Sequence, residues 1–271
     1  MIELNDKEYA ALTGYIQLKF GIHLGTQKKN MVRGRLLKVF LRHGFRGFAD
    51  FYRYLLDDSS GEADKELANA ITTNHTFFMR EPTHFEFLGS EVLPFLYRKV
   101  KDRDLRLWCA ACSTGEEAYT LAMVLSDFFS MKKELWDRRI LATDICQEVI
   151  EYAKKGIYED EAFATLPVRW QKIYFDTYDP MHHQVKSAMR REVIFRNFNL
   201  MQERYPFKRK LHIIFCRNVM IYFDEATIAK LTTRFYDALE PGGYLFIGHS
   251  EVLDRSNRGF QYIMPAIYRK E

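Results

Sequence analysis

The sequence predicts an α/β protein in which an all-α amino-terminal domain precedes an open, mostly parallel sheet covered by helices. Before about residue 100 the apolar residues recur at helical spacing, whereas after it short strand-like runs alternate with helical runs. Such alternation is typical of parallel strands joined by helical crossovers. A chain of 271 residues has room for two domains, so we expect units at residues 1–80 and 101–271 joined by a linking helix at 81–100.

The amino-terminal part carries clear helix signals. Asn5 and Glu8 fit a capping box for the first helix, and Thr26 is placed to cap a second helix that ends at Gly44. Pro82 fits the first turn of the linking helix. The four helices before it are expected at residues 5–20, 26–44, 48–56 and 63–71.

Strand-like runs follow in the second part. A segment at 163–198, rich in His, Arg and β-forming residues, interrupts their alternation with helices and predicts a small inserted β-subdomain. The strands of the main sheet are expected at residues 105–111, 140–143, 211–216, 244–248 and 262–268.

Composition excludes several classes of protein. The start lacks the basic and then apolar run of a signal peptide, and no stretch approaches the roughly 18 apolar residues of a membrane span, so we expect a cytoplasmic protein without membrane insertion. The net charge of +4 does not require nucleic-acid binding. Cys109-x-x-Cys112 invites a zinc or redox interpretation, but with only Cys146 and Cys216 besides we expect four reduced packing residues.

The loop after the first strand predicts the kind of ligand. Residues 112–117 form a tight turn into a helix and contain one glycine, so the glycine patterns of dinucleotide and phosphate loops are absent. Glu116 and Glu117 would repel a phosphate and suit a cationic amino-acid or sulfonium ligand. Equally, acids at a helix start complement the macrodipole, and this motif alone leaves both interpretations open.

The second strand ends in Asp144. An acid at that position is the usual partner of a ribose diol, since one carboxylate accepts hydrogen bonds from both hydroxyls. A nucleoside without phosphate contacts is what S-adenosylmethionine requires. The sequence therefore predicts S-adenosylmethionine as the cofactor.

Three segments together resemble the CheR family of chemotaxis receptor glutamate methyltransferases: residues 72–81, 110–119 and 215–223. The resemblance spans almost the entire chain. It implies a Rossmann-like class I methyltransferase domain with a small β-subdomain insertion, preceded by a receptor-contacting all-α domain. It implies Arg80 and Tyr222 as residues that align the substrate glutamate. The cofactor-binding residues that it implies are Asn74, Thr76, Arg80, Glu117, Asp144, Asn199, Leu200, Arg217 and Asn218.

The chain departs from the family pattern at a few positions. Met79 stands where a second aromatic is usual, and Ala118 replaces a common proline. Members that dock a receptor's carboxyl-terminal pentapeptide share a glycine-containing loop in the β-subdomain, whereas residues 176–183 contain no glycine. We therefore expect an enzyme that does not depend on this tether.

Methyl transfer from a sulfonium to a carboxylate needs no general base, because a glutamate with a pKa near 4.3 is already ionised at neutral pH. Arg80 would hold one carboxylate oxygen and Tyr222 would donate from the opposite wall. Alternatively, Arg80 pairs with Glu81 or Glu117, and Tyr222 is a buried aromatic with a satisfied hydroxyl.

The histidines predict no metal site. His182 and His183 would point in opposite directions if extended, so a solvated loop is the favoured interpretation of that pair. His249, which follows a strand end, is a candidate for lining the pocket without a catalytic role.

A basic stripe on the second helix is the predicted receptor contact. Residues 26–46 contain seven Lys or Arg and no acid. Receptor signalling domains present helices with glutamates, which such a stripe would steer, although a solvated face is an equal alternative. The stripe comprises Lys28, Arg35, Lys38, Arg42 and Arg46. The buried flank is expected to comprise Val32, Leu36, Leu37, Phe40 and Leu41.

Two other functions compete with receptor methylation. A nucleic-acid methyltransferase could use the basic helix for phosphates, but the Asn-Pro-Pro-aromatic signature of base-nitrogen methylation is missing. A non-catalytic S-adenosylmethionine-binding adaptor would keep Asp144 and Glu117 without needing Arg80 or Tyr222. The expected partners are therefore receptor cytoplasmic helices and not nucleic acid, and the protein is expected to be a monomer.

Overall fold

The computed structural model describes residues 3–132, 135–163, 165–253 and 259–271. The amino-terminal part is a bundle of four helices around its own apolar core, in which Ile16, Val32, Leu36, Phe51 and Leu67 are fully buried. These helices are α1 (Asp6–Phe20), α2 (Lys29–His43), α3 (Phe48–Asp57) and α4 (Glu62–Ile71).

The helix ends follow local sequence with one exception. The capping box is confirmed, because Asn5 accepts from the Glu8 N–H and Glu8 accepts from the Asn5 N–H. Gly44 ends α2 with a φ of 70°, as predicted. The prediction that Thr26 caps α2 is wrong, because residues 26–28 form a separate 3₁₀ turn and α2 begins at Lys29 without a side-chain cap.

A helical segment connects the bundle to the sheet. It consists of α5 (Pro82–Phe87), a π-helical turn (Leu88–Val92) and α6 (Leu93–Lys99). Pro82 lies in the first turn of α5, where its missing N–H costs nothing.

The second part contains a seven-stranded sheet. Its strands are β1 (Leu107–Cys109), β2 (Ile140–Asp144), β6 (Val193–Asn197), β7 (Leu211–Cys216), β8 (Leu239–Ile247), β9 (Phe260–Met264) and β10 (Ile267–Lys270). Their order across the sheet is β6-β2-β1-β7-β8-β10-β9. The first five strands of that order run parallel, and β10 and β9 close the edge as an antiparallel hairpin. The long helices packed on it are α7 (Glu116–Ser130), α8 (Gln147–Lys155) and α11 (Glu225–Ala238).

Besides the shortening of the first strand from the predicted 105–111 to Leu107–Cys109, two strand predictions need correction. The run 262–268 is not one strand, because Pro265 and Ala266 turn the chain between β9 and β10. The last parallel strand begins at Leu239 rather than Tyr244, and an irregularity in its pairing with β7 accommodates residues 240–243. Pro265 could have shown from the sequence alone that 262–268 is not one strand, because proline is excluded from central strand positions.

The inserted subdomain is a three-stranded sheet ordered β3-β5-β4, with β3 (Ile157–Glu159), β4 (Phe175–Asp179) and β5 (His182–Val185). Two short helices, α9 (Val168–Tyr174) and α10 (Ser187–Arg190), flank β4 and β5. The predicted range 163–198 is therefore offset: it omits β3 and includes β6, which belongs to the large sheet. His182 and His183 lie in β5 rather than in a loop, and they contact different acids, Asp179 and Asp160.

Polar contacts join the bundle to the sheet domain. Gln17 donates to Asp224 at 2.6 Å, and the His23 N–H donates to the Tyr222 carbonyl at 2.8 Å. Asn199 donates to the carbonyl of Lys19 at 2.7 Å. The bundle thus covers the loops that follow β6 and β7. Across the described ranges, none of the helices combines the length and apolar character needed to span a bilayer.

The four cysteines are free and buried, which confirms the interpretation of Cys109, Cys112, Cys146 and Cys216 as packing residues. Burial raises the pKa of the Cys109 and Cys112 thiols well above the usual range, so both are protonated at neutral pH.

Candidate functional site

The order of the parallel strands reverses between β1 and β7, so the loops after these strands diverge and leave a crevice at their carboxyl ends. A cavity of about 310 Å³ lies there, a volume that suits a small ligand. Its walls come from both parts of the molecule, since Phe20, Ile22, His23 and Met31 of the bundle face the loops of the sheet domain. The bundle therefore completes the pocket.

All ten residues that were predicted to bind the cofactor or align the substrate line this one cavity. They come from the segment before α5, from the first turn of α7, from the end of β2, from the loops that follow β6 and β7, and from the 3₁₀ turn Met220–Tyr222. They are Asn74, Thr76, Arg80, Glu117, Asp144, Asn199, Leu200, Arg217, Asn218 and Tyr222. Their roles stay predictions, but their convergence is a property of the fold.

Asp144 ends β2 and is 7% exposed. Its two oxygens accept the backbone N–H groups of Ser113 at 2.8 Å and Cys146 at 3.0 Å, which hold the carboxylate in place. Burial raises the pKa of Asp144, and the two N–H groups oppose that rise. Each oxygen retains acceptor capacity toward the cavity, as a ribose diol requires.

Arg217, at the end of β7, lies between two acids. Its guanidinium contacts Glu81 at 3.0 Å and Glu117 at 2.9 Å, and it also donates to the Arg80 carbonyl. The side chain is fully buried, so both ion pairs are shielded from solvent. Burial raises the pKa of Glu117, and the charge of Arg217 opposes the rise. Burial also acts to raise the pKa of Glu81. There, however, the charge of Arg217 and the hydrogen bond from the Asn218 amide have the larger effect, so the pKa of Glu81 is lowered.

Four of the six non-glycine residues with positive φ in the described ranges line this cavity or flank a residue that does: Ser113 and Asn218 line it, and Met79 and Glu81 flank Arg80. Left-handed backbone is costly for such residues and persists where surrounding contacts impose it. The Ser113 N–H reaches Asp144 from this conformation, and Glu81 meets Arg217 from it. The strain thus accompanies the contacts that shape the pocket.

Glu251 fixes the segment that follows β7. Its buried carboxylate accepts the N–H groups of Asn218 at 3.1 Å, Met220 at 2.7 Å and Ile221 at 3.3 Å, together with that of Gly248 at 2.5 Å. This one side chain therefore holds the backbone that presents Asn218 and Tyr222. The sequence analysis did not single out Glu251, and it considered Glu81, the last residue of the motif 72–81, only as an alternative partner of Arg80.

Arg80 and Tyr222 differ from the buried network. Arg80 donates to the His75 carbonyl at 2.9 Å and lies over the Phe77 ring. Throughout the described residues no carboxylate lies within ion-pairing distance of Arg80, so the alternative that it pairs with Glu81 or Glu117 is wrong; Arg217 makes those pairs. Tyr222 is half-buried, and in the same ranges its hydroxyl has no hydrogen-bond partner. Both side chains keep donors available for an acceptor substrate.

The predicted basic stripe divides into different environments. Lys28 and Arg35 line the cavity, Arg42 pairs with Glu66 at 3.3 Å, and Arg46 lies beyond the end of α2, near Asp50. Lys38 is exposed. The buried flank needs two corrections: Leu41 is 83% exposed and Val39 takes its place in the core, and Leu37 is only half-buried.

Glu81, His84 and His249 approach one another closely enough to suggest a metal site. His84 is fully buried, and its Nδ1 lies 3.5 Å from Glu81 Oε2. That oxygen also accepts from Arg217 at 3.0 Å, so a metal ion there would lie against a guanidinium. We assign no metal to this cluster, and the absence of a metal stays a prediction. His249 stacks edge-on against His84 and lies outside the set of residues that line the cavity.

Comparison with known proteins identifies the family. Residues 74–268 match the description "CheR methyltransferase, SAM binding domain", and residues 7–72 match "CheR methyltransferase, all-alpha domain". The chain belongs to the CheR methyltransferase family. A chemotaxis protein methyltransferase of Borreliella burgdorferi is 38% identical over 99% of this chain and 96% of its own length. Its counterpart in Escherichia coli is 32% identical, over 98% and 92%.

The cavity of this CheR-family protein fits S-adenosylmethionine, the methyl donor of such enzymes. Asp144 and Glu117 suit the ribose and the cationic groups of the donor. Arg217 suits its carboxylate, because its buried Nε has no partner within the described part of the chain. The expected fold, enzyme class and cofactor are therefore confirmed.

Proposed function

We propose that this CheR-family methyltransferase transfers methyl groups from S-adenosylmethionine to glutamate side chains of bacterial chemoreceptors. The convergence of Asp144, Glu117, Arg80 and Tyr222 on one cavity carries the proposal. The printed names of the relatives, chemotaxis protein methyltransferases, support the same substrate class.

S-adenosylmethionine supplies a methyl group on a positively charged sulfur. The protein's own contribution is to align and desolvate the acceptor carboxylate, which needs no deprotonation at neutral pH. Arg80 holds one oxygen of the glutamate, so that the other faces the donor, and Tyr222 donates from the opposite wall. Because Arg217 already neutralises Glu117 and Glu81, Arg80 stays free for the incoming anion.

We further propose that the enzyme acts as a cytoplasmic monomer and does not require a receptor pentapeptide. The β4–β5 connection, Pro180–Met181, is a tight turn without glycine, which supports independence from the tether. Exposed Lys38 and the cavity-lining Lys28 form the basic surface that meets acidic receptor helices.

The decisive experiment is transfer of labelled methyl groups to receptor cytoplasmic fragments. We expect base-labile label on fragments with intact glutamates and none on fragments in which the candidate glutamates are alanine. Label on RNA would instead establish a nucleic-acid methyltransferase. Tight binding of S-adenosylhomocysteine without any transfer would establish an adaptor.

A further inference from the structure

The structure separates Arg35 from the rest of the basic stripe. Its guanidinium is directed toward the end of α4, where Nη1 donates to the carbonyls of Ile71 at 2.5 Å and Thr72 at 3.1 Å. Nη2 donates to the Thr73 hydroxyl at 2.9 Å. These carbonyls end a helix and lack intrahelical partners, and a cation is favourable there because of the helix dipole. One side chain thus makes three hydrogen bonds to three consecutive residues.

Those three residues lead directly into the donor pocket. Asn74 follows them, lines the cavity, and accepts the Ser113 hydroxyl on its carbonyl at 2.9 Å. The Ser113 N–H in turn holds Asp144. A continuous chain of contacts therefore runs from Arg35 on α2 through Asn74 to the acid that is proposed to bind the ribose.

We propose that Arg35 is a positioning residue of the donor pocket and not a receptor contact. It anchors the segment Ile71–Thr73, and so fixes where Asn74 and Thr76 stand in the cavity wall. This assignment rests on the proposed function only in that S-adenosylmethionine is the ligand of the cavity. The bundle thus supplies both this anchor and part of the cavity wall.

The test measures donor-site affinity in the full-length protein with no receptor present. Isothermal titration with S-adenosylhomocysteine should show that Arg35→Ala weakens binding about tenfold, as expected for the loss of hydrogen bonds made by a charged group. Arg35→Lys keeps the charge but cannot reproduce the planar fork, so binding should weaken about threefold. The matched control is Arg33→Ala on the same helix, because Arg33 makes no hydrogen bond or ion pair with any described residue; its affinity should match the wild type.

Steady-state kinetics provide a second readout. Arg35→Ala should raise the KM for S-adenosylmethionine about tenfold and leave kcat at saturating donor within about twofold of the wild type. Wild-type donor affinity together with an increased KM for the receptor would overturn the proposal and return Arg35 to the receptor surface. If Arg35→Ala does not fold, the donor affinity of Arg35→Lys tests the proposal instead. An affinity of Arg35→Lys equal to that of the wild type would also overturn the proposal. Absence of methyl transfer to any receptor would refute the proposed function but leave this affinity test intact.

Discussion

The two ends of the cavity are built in opposite ways. At the donor end, Asp144 and Arg217 are buried, the side chain of Glu117 is only 12% exposed, and each of the three is held by charged or backbone partners. At the acceptor end, Arg80 and Tyr222 are only partly buried and contact the protein through few polar groups. The donor end is organised before any ligand arrives, whereas the acceptor end keeps its donors free for a substrate carboxylate. Preorganisation at one end and unused hydrogen-bonding capacity at the other is what alignment of an anion against a cationic donor requires.

The largest expected effect comes from removing the Arg80 side chain at the acceptor end. Arg80→Ala should lower kcat/KM for receptor methylation about 100-fold, an activation free-energy change of about 2.7 kcal/mol, because a charge-assisted contact to the carboxylate is lost. Affinity for S-adenosylhomocysteine should change much less. The measurement is a methylation assay paired with titration calorimetry.

Arg80→Lys serves as the matched control, since it keeps the charge without the fork and should fall between the wild type and Arg80→Ala. Equal losses of donor affinity and methylation in Arg80→Ala would place Arg80 at the donor end and remove the distinction between the two ends.

A smaller effect is expected at the donor end. Asp144→Asn should weaken S-adenosylhomocysteine binding about tenfold, because a neutral amide replaces the carboxylate that accepts from the ribose. An analogue of S-adenosylhomocysteine that lacks one ribose hydroxyl should bind the wild type more weakly than S-adenosylhomocysteine does. Its affinities for the wild type and for Asp144→Asn should be similar. If Asp144→Asn instead weakened the binding of both ligands equally, Asp144 would not contact the ribose.

The same residue predicts a pH dependence. The ligand requires the ionised carboxylate, and burial raises the pKa of Asp144 above its usual range. Donor affinity should therefore fall as the pH is lowered through that raised pKa. Asp144→Asn should make donor affinity depend less on pH. The pH dependence that remains should come from Glu117, because burial also raises the pKa of Glu117.

The sequence predicted which residues meet at this cavity, because they stand in short motifs near strand ends, where the fold determines direction. The position of Asp144 in the cavity wall could be predicted from its place at the end of β2 alone, and its contact with the ribose stays a prediction. The part of the cavity wall that the bundle supplies could not be predicted, because Phe20, Ile22 and Met31 reach the cavity only through docking of the two domains. Nor does a helical wheel distinguish Arg35 from Lys38: both lie on one side of α2, but only Arg35 meets the end of α4.

The wheel failed in a second, instructive place. It placed Leu41 on the buried flank, but α2 ends two residues later and no part of the described chain covers that position, so Leu41 is exposed while Val39 is buried. Periodicity describes a helix that continues, and tertiary packing decides which part of each face is covered. The inserted sheet was misplaced for a related reason, because β3 precedes the stretch whose composition had marked the insertion.

The smallest expected effect tests whether the basic surface belongs to the acceptor end at all. Lys38 is exposed and, among the described residues, makes no ion pair, so its charge acts on a partner only through long-range attraction. Lys38→Glu should lower kcat/KM for the receptor by about threefold at low salt, and the difference should vanish near 0.5 M salt, where screening is nearly complete. Donor affinity should stay at the wild-type value.

Arg42→Glu is the comparison variant. Glu66 already neutralises Arg42, so the charge reversal at Arg42 also breaks an ion pair and should lower the melting temperature. Lys38→Glu should leave the melting temperature unchanged. A salt-independent loss in Lys38→Glu would mean that the side chain makes a direct contact, and no loss at low salt would confine substrate recognition to the cavity itself.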